Sequence, residues 1–281
     1  SIFDNLEKMK AEVIVVDNAS DDDSVQMLNG SYPSVIVLAN KKNVGFAAAT
    51  NQGLERSQGK FILLLNPDTI VMPCALSTLI KFLELAADAG AVGPKLLNLD
   101  GSLQPSCRSF PNELNMSAFS LLGYKRLPKT KAPNHSLLEG WDHSSILSVD
   151  YVIGAALLVK REILEKVGLM DEDFFLYGEE KDWCFRIRKA GYKIYYFPYS
   201  SVVHLGGQSS MKVSLFALQN LYKSHRLFLA KHYRPIRRML IVLILDLGLI
   251  LRAVIYALKH LSSPTSSNLE KAKAHLLSLN S

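Results

Sequence analysis

Cysteine is scarce in this chain, with three in 281 residues at positions 74, 107 and 184. The odd number and wide spacing exclude a disulfide framework and a zinc finger or ribbon, and a reducing cytosol is the expected compartment. Neither G-x-x-x-x-G-K-[ST] nor G-x-G-x-x-G occurs, so Walker-type and dinucleotide-binding readings lose support. No signal-peptide pattern opens the chain; Ile2 to Lys10 reads as helix instead. No internal repeat is present. With 48% hydrophobic and 21% charged residues, the main part of the chain has the composition of a folded protein.

Charge is the second uneven quantity. From Lys212 to Ser281 there are eleven Lys/Arg against Asp246 and Glu270, a net of +9; the whole chain carries +6, which leaves −3 for residues 1–211. The basic character belongs to the tail and says little about the main domain. Two parts are therefore expected: a domain over 1–211 and a basic, apolar helical region over 212–281.

The main part alternates strand and helix. Val13 to Val16 is a short β-branched run, Asp21 to Asn29 a helix with Ser20 as N-cap, and Val35 to Leu38 a second strand. Helix Phe46 to Ser57, strand Phe61 to Leu65 and a helix from Pro73 to about Ala87 follow. This spacing predicts βαβ units and a mostly parallel sheet. Ala91 to Cys107 then reads as a hairpin turning at Asn98-Leu99-Asp100-Gly101. Residues 111–148 carry little periodic signal. Beyond them come strand Tyr151 to Lys160, helix Arg161 to Val167, helix Lys181 to Ala190 closed by Gly191, strand Tyr192 to Pro198 and a loop over Ser201 to Ser210.

Two carboxylates end strands: Asp17 after VIVV and Asp68 after FILLLNP. Ligands of open α/β sheets bind at such ends, and a carboxylate there suits a ribose, a base or a divalent metal. Taken singly, each reads better as a turn residue; as a pair, they favour a site. A nucleotide diphosphate lacking a glycine-rich loop needs another source of positive charge, which a metal on Asp68 would supply.

Glu179-Glu180-Lys181-Asp182-Trp183 packs three acids into the start of a helix. The bland reading is strong: acids favour a helix N-terminus, and Asp182 with Arg186 is an i,i+4 pair. Against it, adjacent Glu179 and Glu180 repel, which raises one pKa towards that of a useful base. The flanking Phe174, Phe175, Tyr177 and Trp183 suit sugar stacking and core packing equally. His204 lies before Gly206 and Gly207; a lone histidine is more often structural, but neutral imidazole is a good ligand for a manganese-like ion.

In order along the chain, VIVVDNAS, NVGFAAATNQG, FILLLNPD, VGPKLLNLDGSLQPSCR, GAALLVKRE, DEDFFLYGEEKDWCFRIRKAGY and VVHLGG resemble family 2 glycosyltransferases, in particular bacterial rhamnosyltransferase-like members. The resemblance covers Val13 to Ser210 and implies a GT-A fold, a Rossmann-like sheet flanked by helices. It implies inverting transfer of a sugar, rhamnose being favoured, from a nucleotide diphosphate to a cell-envelope glycan or lipid-linked acceptor, with Mg2+ or Mn2+. By the same resemblance, Asp17, Asn18, Asn43, Gly45 and Asn66 would bind the nucleotide. Asp68 and His204 would hold the metal, Asn66 standing where the family has the first Asp of its D-x-D element. Glu180 would be the base, with Glu179 and Asp182 as rivals. Gly154, Ala155, Trp183 and Arg108 would lie near the donor or acceptor sugar. Family members open with an apolar strand and a nucleotide-gripping turn; this chain opens in the helix that follows, so the first strand is expected to be missing.

In the tail, Val213 to His232 and Ile236 to His260 read as long helices. Met239 to Leu258 is mostly apolar, contains Asp246 and Arg252, and follows Arg234, Arg237 and Arg238. Its length permits a span, but two charges near the middle are costly in lipid. A helix lying at the inner leaflet of the cell membrane is preferred, placing the protein peripherally on the cytoplasmic face. The alternative is a helix packed on the main domain or at a homodimer interface. So long an apolar stretch argues against nucleic acid. Two rival functions remain: a sugar nucleotidylyltransferase, and a non-catalytic nucleotide- or glycan-binding module at a membrane.

Overall fold

The structure, a computed structural model, describes residues 1–6, 9–112, 141–206, 215–262 and 266–280. In chain order its elements are β1 (Ile14–Asp17), α1 (Ser24–Ser31), β2 (Ile36–Ala39), α2 (Phe46–Arg56), β3 (Phe61–Leu65), β4 (Thr69–Val71), α3 (Ala75–Leu85), β5 (Ala89–Leu97), β6 (Leu103–Gln104), β7 (Cys107–Arg108), β8 (Leu147–Val149), β9 (Tyr151–Val152), β10 (Ala156–Lys160), α4 (Arg161–Val167), α5 (Glu179–Lys189), β11 (Lys193–His204), α6 (Leu215–His232), α7 (Pro235–Ser262) and α8 (Ser266–Leu277). They fall into two compact units. One is made of the described residues of 1–108, 142–175 and 179–208, the other of those of 109–141, 176–178 and 209–281.

The first unit is an α/β fold with mixed pairing rather than a mostly parallel sheet. A seven-stranded sheet runs β3-β10-β5-β11-β4, with β6 beside β5 and β8 beside β11. Within it β5 and β11 run parallel, while β10 is antiparallel to both β3 and β5. β1 and β2 form their own parallel pair. The core is set by helical periodicity meeting strand burial: Leu79 and Leu83 of α3 pack on Val92, Leu158 and Phe197 from β5, β10 and β11. Leu79 is 1% exposed, so truncation to Ala leaves a void and costs about 2–5 kcal/mol.

Several elements differ from the sequence reading. The opening helix is a single 3-10 turn, Phe3–Asn5. α1 starts at Ser24 with Asp23 at its N-cap position and no side-chain cap, so Ser20 lies ahead of the helix, where its N–H donates to Asp17 Oδ2 at 3.3 Å. The single strand expected over 151–160 breaks at 153–155 into β9 and β10. Residues 201–204 of the expected 201–210 loop are the end of β11, which pairs with β4 through His204 opposite Thr69; residues 207–210 of that loop, and most of the irregular segment 111–148, lie outside the described residues.

The second unit is helical. Tyr222 and Leu229 of α6 bury Ile241, Leu245 and Leu249 of α7. Asp246, a costly residue on sequence grounds, accepts from Arg226 Nη2 at 2.7 Å, and Arg252 Nη1 donates to the Tyr222 hydroxyl at 2.9 Å. Both mid-helix charges are thereby turned to the packed side. The opposite side of α7 leaves Met239, Leu243, Leu247, Ile250, Val254 and Leu258 exposed, a stripe at helical spacing.

Candidate active site

The sheet carries its polar residues at strand ends, and hydrogen bonds and close contacts link them into two groups. The first begins at Asp68, just beyond β3. Antiparallel pairing of β4 with β11 brings His204 alongside, with Nε2 3.3 Å from Asp68 Oδ1. The Leu205 N–H donates to the Asp68 carbonyl at 2.8 Å, fixing the two backbones together. On the far side of the imidazole, Nδ1 lies 2.7 Å from Gln104 Oε1. The pair thus offers one carboxylate and one imidazole nitrogen to the same small space.

From Asp68 the network continues back along the chain. The Asn66 N–H donates to the Ala155 carbonyl at 3.0 Å, so the break between β9 and β10 is tied to the end of β3. Next to Ala155, Gly154 lies against Glu180: a methyl group added there would sit 3.7 Å from Glu180 Cβ and 3.8 Å from Cγ. A side chain larger than a methyl at 154 would crowd that carboxylate arm. Asp68, His204, Asn66, Gly154, Ala155 and Glu180 therefore belong to one connected group.

Helix α5 gives its first-turn acids different environments. Glu179 is buried and Glu180 half-buried. Burial, and then the charge of Glu180, push the Glu179 carboxyl up to about 8. Glu179 is therefore held towards its neutral form near pH 7, and Glu180 is the more open of the two. Lys181 is also buried, which pulls its ammonium down to about 8 against the opposing charges of Glu180, Glu179 and Asp182.

The second group surrounds Asn18. Its side chain donates to Asn43 Oδ1 at 2.9 Å and to the Gly45 carbonyl at 3.2 Å, and accepts from the Val44 N–H at 3.0 Å. Asp17, beside it at the end of β1, accepts from the Ser20 N–H. Gly45 has φ +91°, and a Cβ there would lie 2.9 Å from the Phe175 carbonyl oxygen, so glycine is required both by conformation and by space. That same carbonyl accepts from the Phe46 N–H at 2.8 Å. This group presents a backbone turn and a carboxylate next to a helix N-terminus.

Three sequence-derived candidates have partners of their own. Trp183 is fully buried, with its indole N–H donating to the Gly168 carbonyl at 2.8 Å, so it packs the core and offers no face to a sugar. Asp182 is 1% exposed and holds Arg186 Nε at 2.8 Å, the i,i+4 pairing visible in the sequence. Arg108 spends Nη1 on the carbonyls of Pro105 and Cys107, both at 2.9 Å. One residue escapes the sequence reading, Gln104, whose signal is the DGSLQPSCR stretch; Phe175, read there for its ring, also serves through its backbone carbonyl, a contact with Gly45 that has no sequence signature.

Asp68 and His204 suit a divalent ion in donor type and convergence. Among the described residues no group of three or more His, Cys, Asp or Glu side chains converges. Two protein donors leave most coordination positions open, as expected where phosphate oxygens and water complete the shell.

The comparisons with known proteins agree with this fold. Glycosyl transferase family 2 matches over residues 1–136. The N-acetylglucosaminyl-diphospho-decaprenol L-rhamnosyltransferase of Mycobacterium tuberculosis is 30% identical over 234 residues, covering 79% of this chain and 75% of that protein. Among solved structures, GalNAc-T7 with UDP, GalNAc and Mn2+ superposes with a TM-score of 0.58 at 17% identity, over 97% of this chain and 50% of that one. The mannosyltransferase PcManGT from Pyrobaculum calidifontis, in complex with GDP-Man and Mn2+, gives 0.54 at 16%, over 99% and 80%. The fold is that of a GT-A glycosyltransferase. The chain belongs to glycosyl transferase family 2.

Proposed function

We propose that this protein is an inverting, metal-assisted glycosyltransferase that moves a sugar, rhamnose in our reading, from a nucleotide diphosphate to a lipid-linked cell-envelope glycan. The observation that carries this is the contact path from His204 and Asp68 through Asn66, Ala155 and Gly154 to Glu180. It joins a pair of metal-suited donors to a half-buried carboxylate. The choice of rhamnose and of a diphosphate-linked lipid acceptor rests on the name of the mycobacterial relative.

Asp17, Asn18, Asn43 and Gly45 would receive the nucleotide, with Asn66 nearby. Asp68 and His204 would hold Mn2+ or Mg2+, which supplies positive charge against the departing diphosphate. Glu180 takes the proton from the acceptor hydroxyl as that oxygen attacks the anomeric carbon from the face opposite the leaving group, so configuration inverts. Neutral Glu179 beside it keeps a second negative charge away. Gly154 leaves room for the sugar next to the base, and Ala155 closes that side. Arg108 remains a candidate for the acceptor's approach.

The exposed apolar stripe of α7, with Arg237 and Arg238 at one end and Lys259 at the other, supports a helix lying at the inner leaflet. Basic residues at a bilayer surface add about 1 kcal/mol each. The protein would work peripherally on the cytoplasmic face, where a lipid-linked acceptor is within reach.

Donor turnover with Mn2+ tests the reading. Wild type should consume a nucleotide-diphosphate sugar, and Glu180→Gln should lose turnover while still binding nucleotide. Equal turnover in both proteins removes Glu180 as base, and nucleotide binding with no turnover in either favours a binding module.

A further inference from the structure

The DGSLQPSCR stretch carries no assigned role in the reaction, yet its hairpin delivers Gln104 to His204. Gln104 makes three polar contacts. Nε2 donates to the His204 carbonyl at 3.2 Å and to Asn98 Oδ1 at 3.0 Å, and Oε1 lies 2.7 Å from His204 Nδ1. A carbonyl oxygen only accepts, so the amide nitrogen must face it. The amide orientation is fixed by that backbone atom, and Oε1 is left facing the imidazole. An amide oxygen also only accepts, so Nδ1 must carry a hydrogen. The neutral ring then has its lone pair on Nε2, the nitrogen 3.3 Å from Asp68.

The hairpin itself is built to hold this side chain. Asn98 Nδ2 donates to Ser102 Oγ at 2.9 Å, and the Asn98 N–H donates to the Ser102 carbonyl at 2.8 Å. The Ser102 N–H in turn donates to Asp100 Oδ1 at 2.9 Å. β6 pairs antiparallel with β5, with Gln104 opposite Leu96. Gly206 completes the fit, since a Cβ there would lie 3.1 Å from Gln104 Nε2 and 3.2 Å from His204 Nδ1.

We infer that Gln104 is a positioning residue that fixes the tautomer and ring orientation of His204, so that Nε2 is presented beside Asp68 as a ready cation ligand. This rests on the reading of Asp68 and His204 as the metal pair. Partners on the far nitrogen of a ligating histidine typically contribute about 10–100-fold to metal affinity. Gln104 touches neither metal nor substrate in this role and acts through His204.

The test is Mn2+ affinity, read by the loss of free-ion electron paramagnetic resonance signal, for wild type, Gln104→Leu, Gln104→Glu and Asp68→Asn. Nitrogen-15 histidine spectra of the metal-free proteins are recorded alongside. Gln104→Leu should weaken Mn2+ binding about 10–100-fold and remove the fixed hydrogen from Nδ1. Gln104→Glu, which keeps an acceptor for Nδ1–H, should retain Nδ1 protonation and most of the affinity. Mn2+ binding lost in Asp68→Asn but unchanged in Gln104→Leu, with Nδ1 still protonated, overturns the inference alone. Mn2+ affinity indifferent to Asp68→Asn overturns the metal reading, and the inference with it. A general loss of fold in Gln104→Leu is separated by Gln104→Glu, in which failure to keep Nδ1 protonated also overturns it.

Discussion

His204 Nε2 stands 3.3 Å from Asp68 Oδ1, and the neighbouring backbones are joined by the Leu205 N–H on the Asp68 carbonyl at 2.8 Å. A strand pairing thus brings together one oxygen and one nitrogen donor from distant parts of the sequence. Removing either should weaken the metal site without unfolding the sheet. Asp68→Asn is expected to lower metal-dependent turnover by at least ~100-fold, as loss of charge stabilisation at a leaving group does. Titrating Mn2+ against turnover checks this: excess Mn2+ should partly restore His204→Ala and leave Asp68→Asn impaired.

Glu179 gives a stability prediction with a definite sign. Its carboxyl is raised from 4.5 to about 8, first by burial and then by Glu180. In the unfolded chain it ionises near its ordinary value, while in the fold it stays neutral to about 8. Its contribution to stability is therefore intact at low pH and declines as pH rises between those two values. Glu179→Gln removes the decline and should be more stable than wild type at pH 8 by on the order of 1–3 kcal/mol. Urea unfolding at pH 5 and pH 8 measures the difference; a variant equally destabilised at both values contradicts the assignment.

Gly45 does not accept a single added methyl group without strain. Its φ of +91°, and the Phe175 carbonyl oxygen 2.9 Å from where a Cβ would stand, leave no relaxed alanine conformation. Gly45→Ala should cost about 1–3 kcal/mol of stability and weaken nucleotide binding through displacement of Asn43 and Asn18. Calorimetry with a nucleoside diphosphate reads the second effect. Gly154→Ala should be well tolerated, since the added carbon meets Glu180 at an ordinary 3.7 Å, whereas Gly154→Leu should lower kcat by crowding the base.

The exposed stripe of α7 predicts membrane behaviour. Leu243→Asp with Leu247→Asp places two charges on the outward apolar face and should abolish co-sedimentation with anionic vesicles. Arg237→Glu with Arg238→Glu should weaken binding by about 2 kcal/mol or more and remove its dependence on anionic lipid. Binding that survives both pairs of changes would assign the stripe to another partner.

Element order is largely legible in the sequence, because β3, α2 and α4 have strong apolar periodicity and clear ends. Antiparallel pairing is not: β10 and β4 are short apolar runs whose direction depends on partners far along the chain. His204 reads as a loop residue because the glycines after it mask the strand that ends there. The bland reading holds for Asp182, whose i,i+4 arginine is visible in the sequence, and Trp183 follows the core rather than the sugar. Gln104 is hidden for a different reason, since an amide shows its importance only through the groups it faces.

The most direct measurement is the anomeric configuration of the product, followed by proton NMR during Mn2+-dependent transfer from a nucleotide-diphosphate donor of known configuration. A single carboxylate base at Glu180, with no covalent sugar intermediate, predicts inversion at every turnover and loss of product with Glu180→Gln. Retention of configuration would contradict the account.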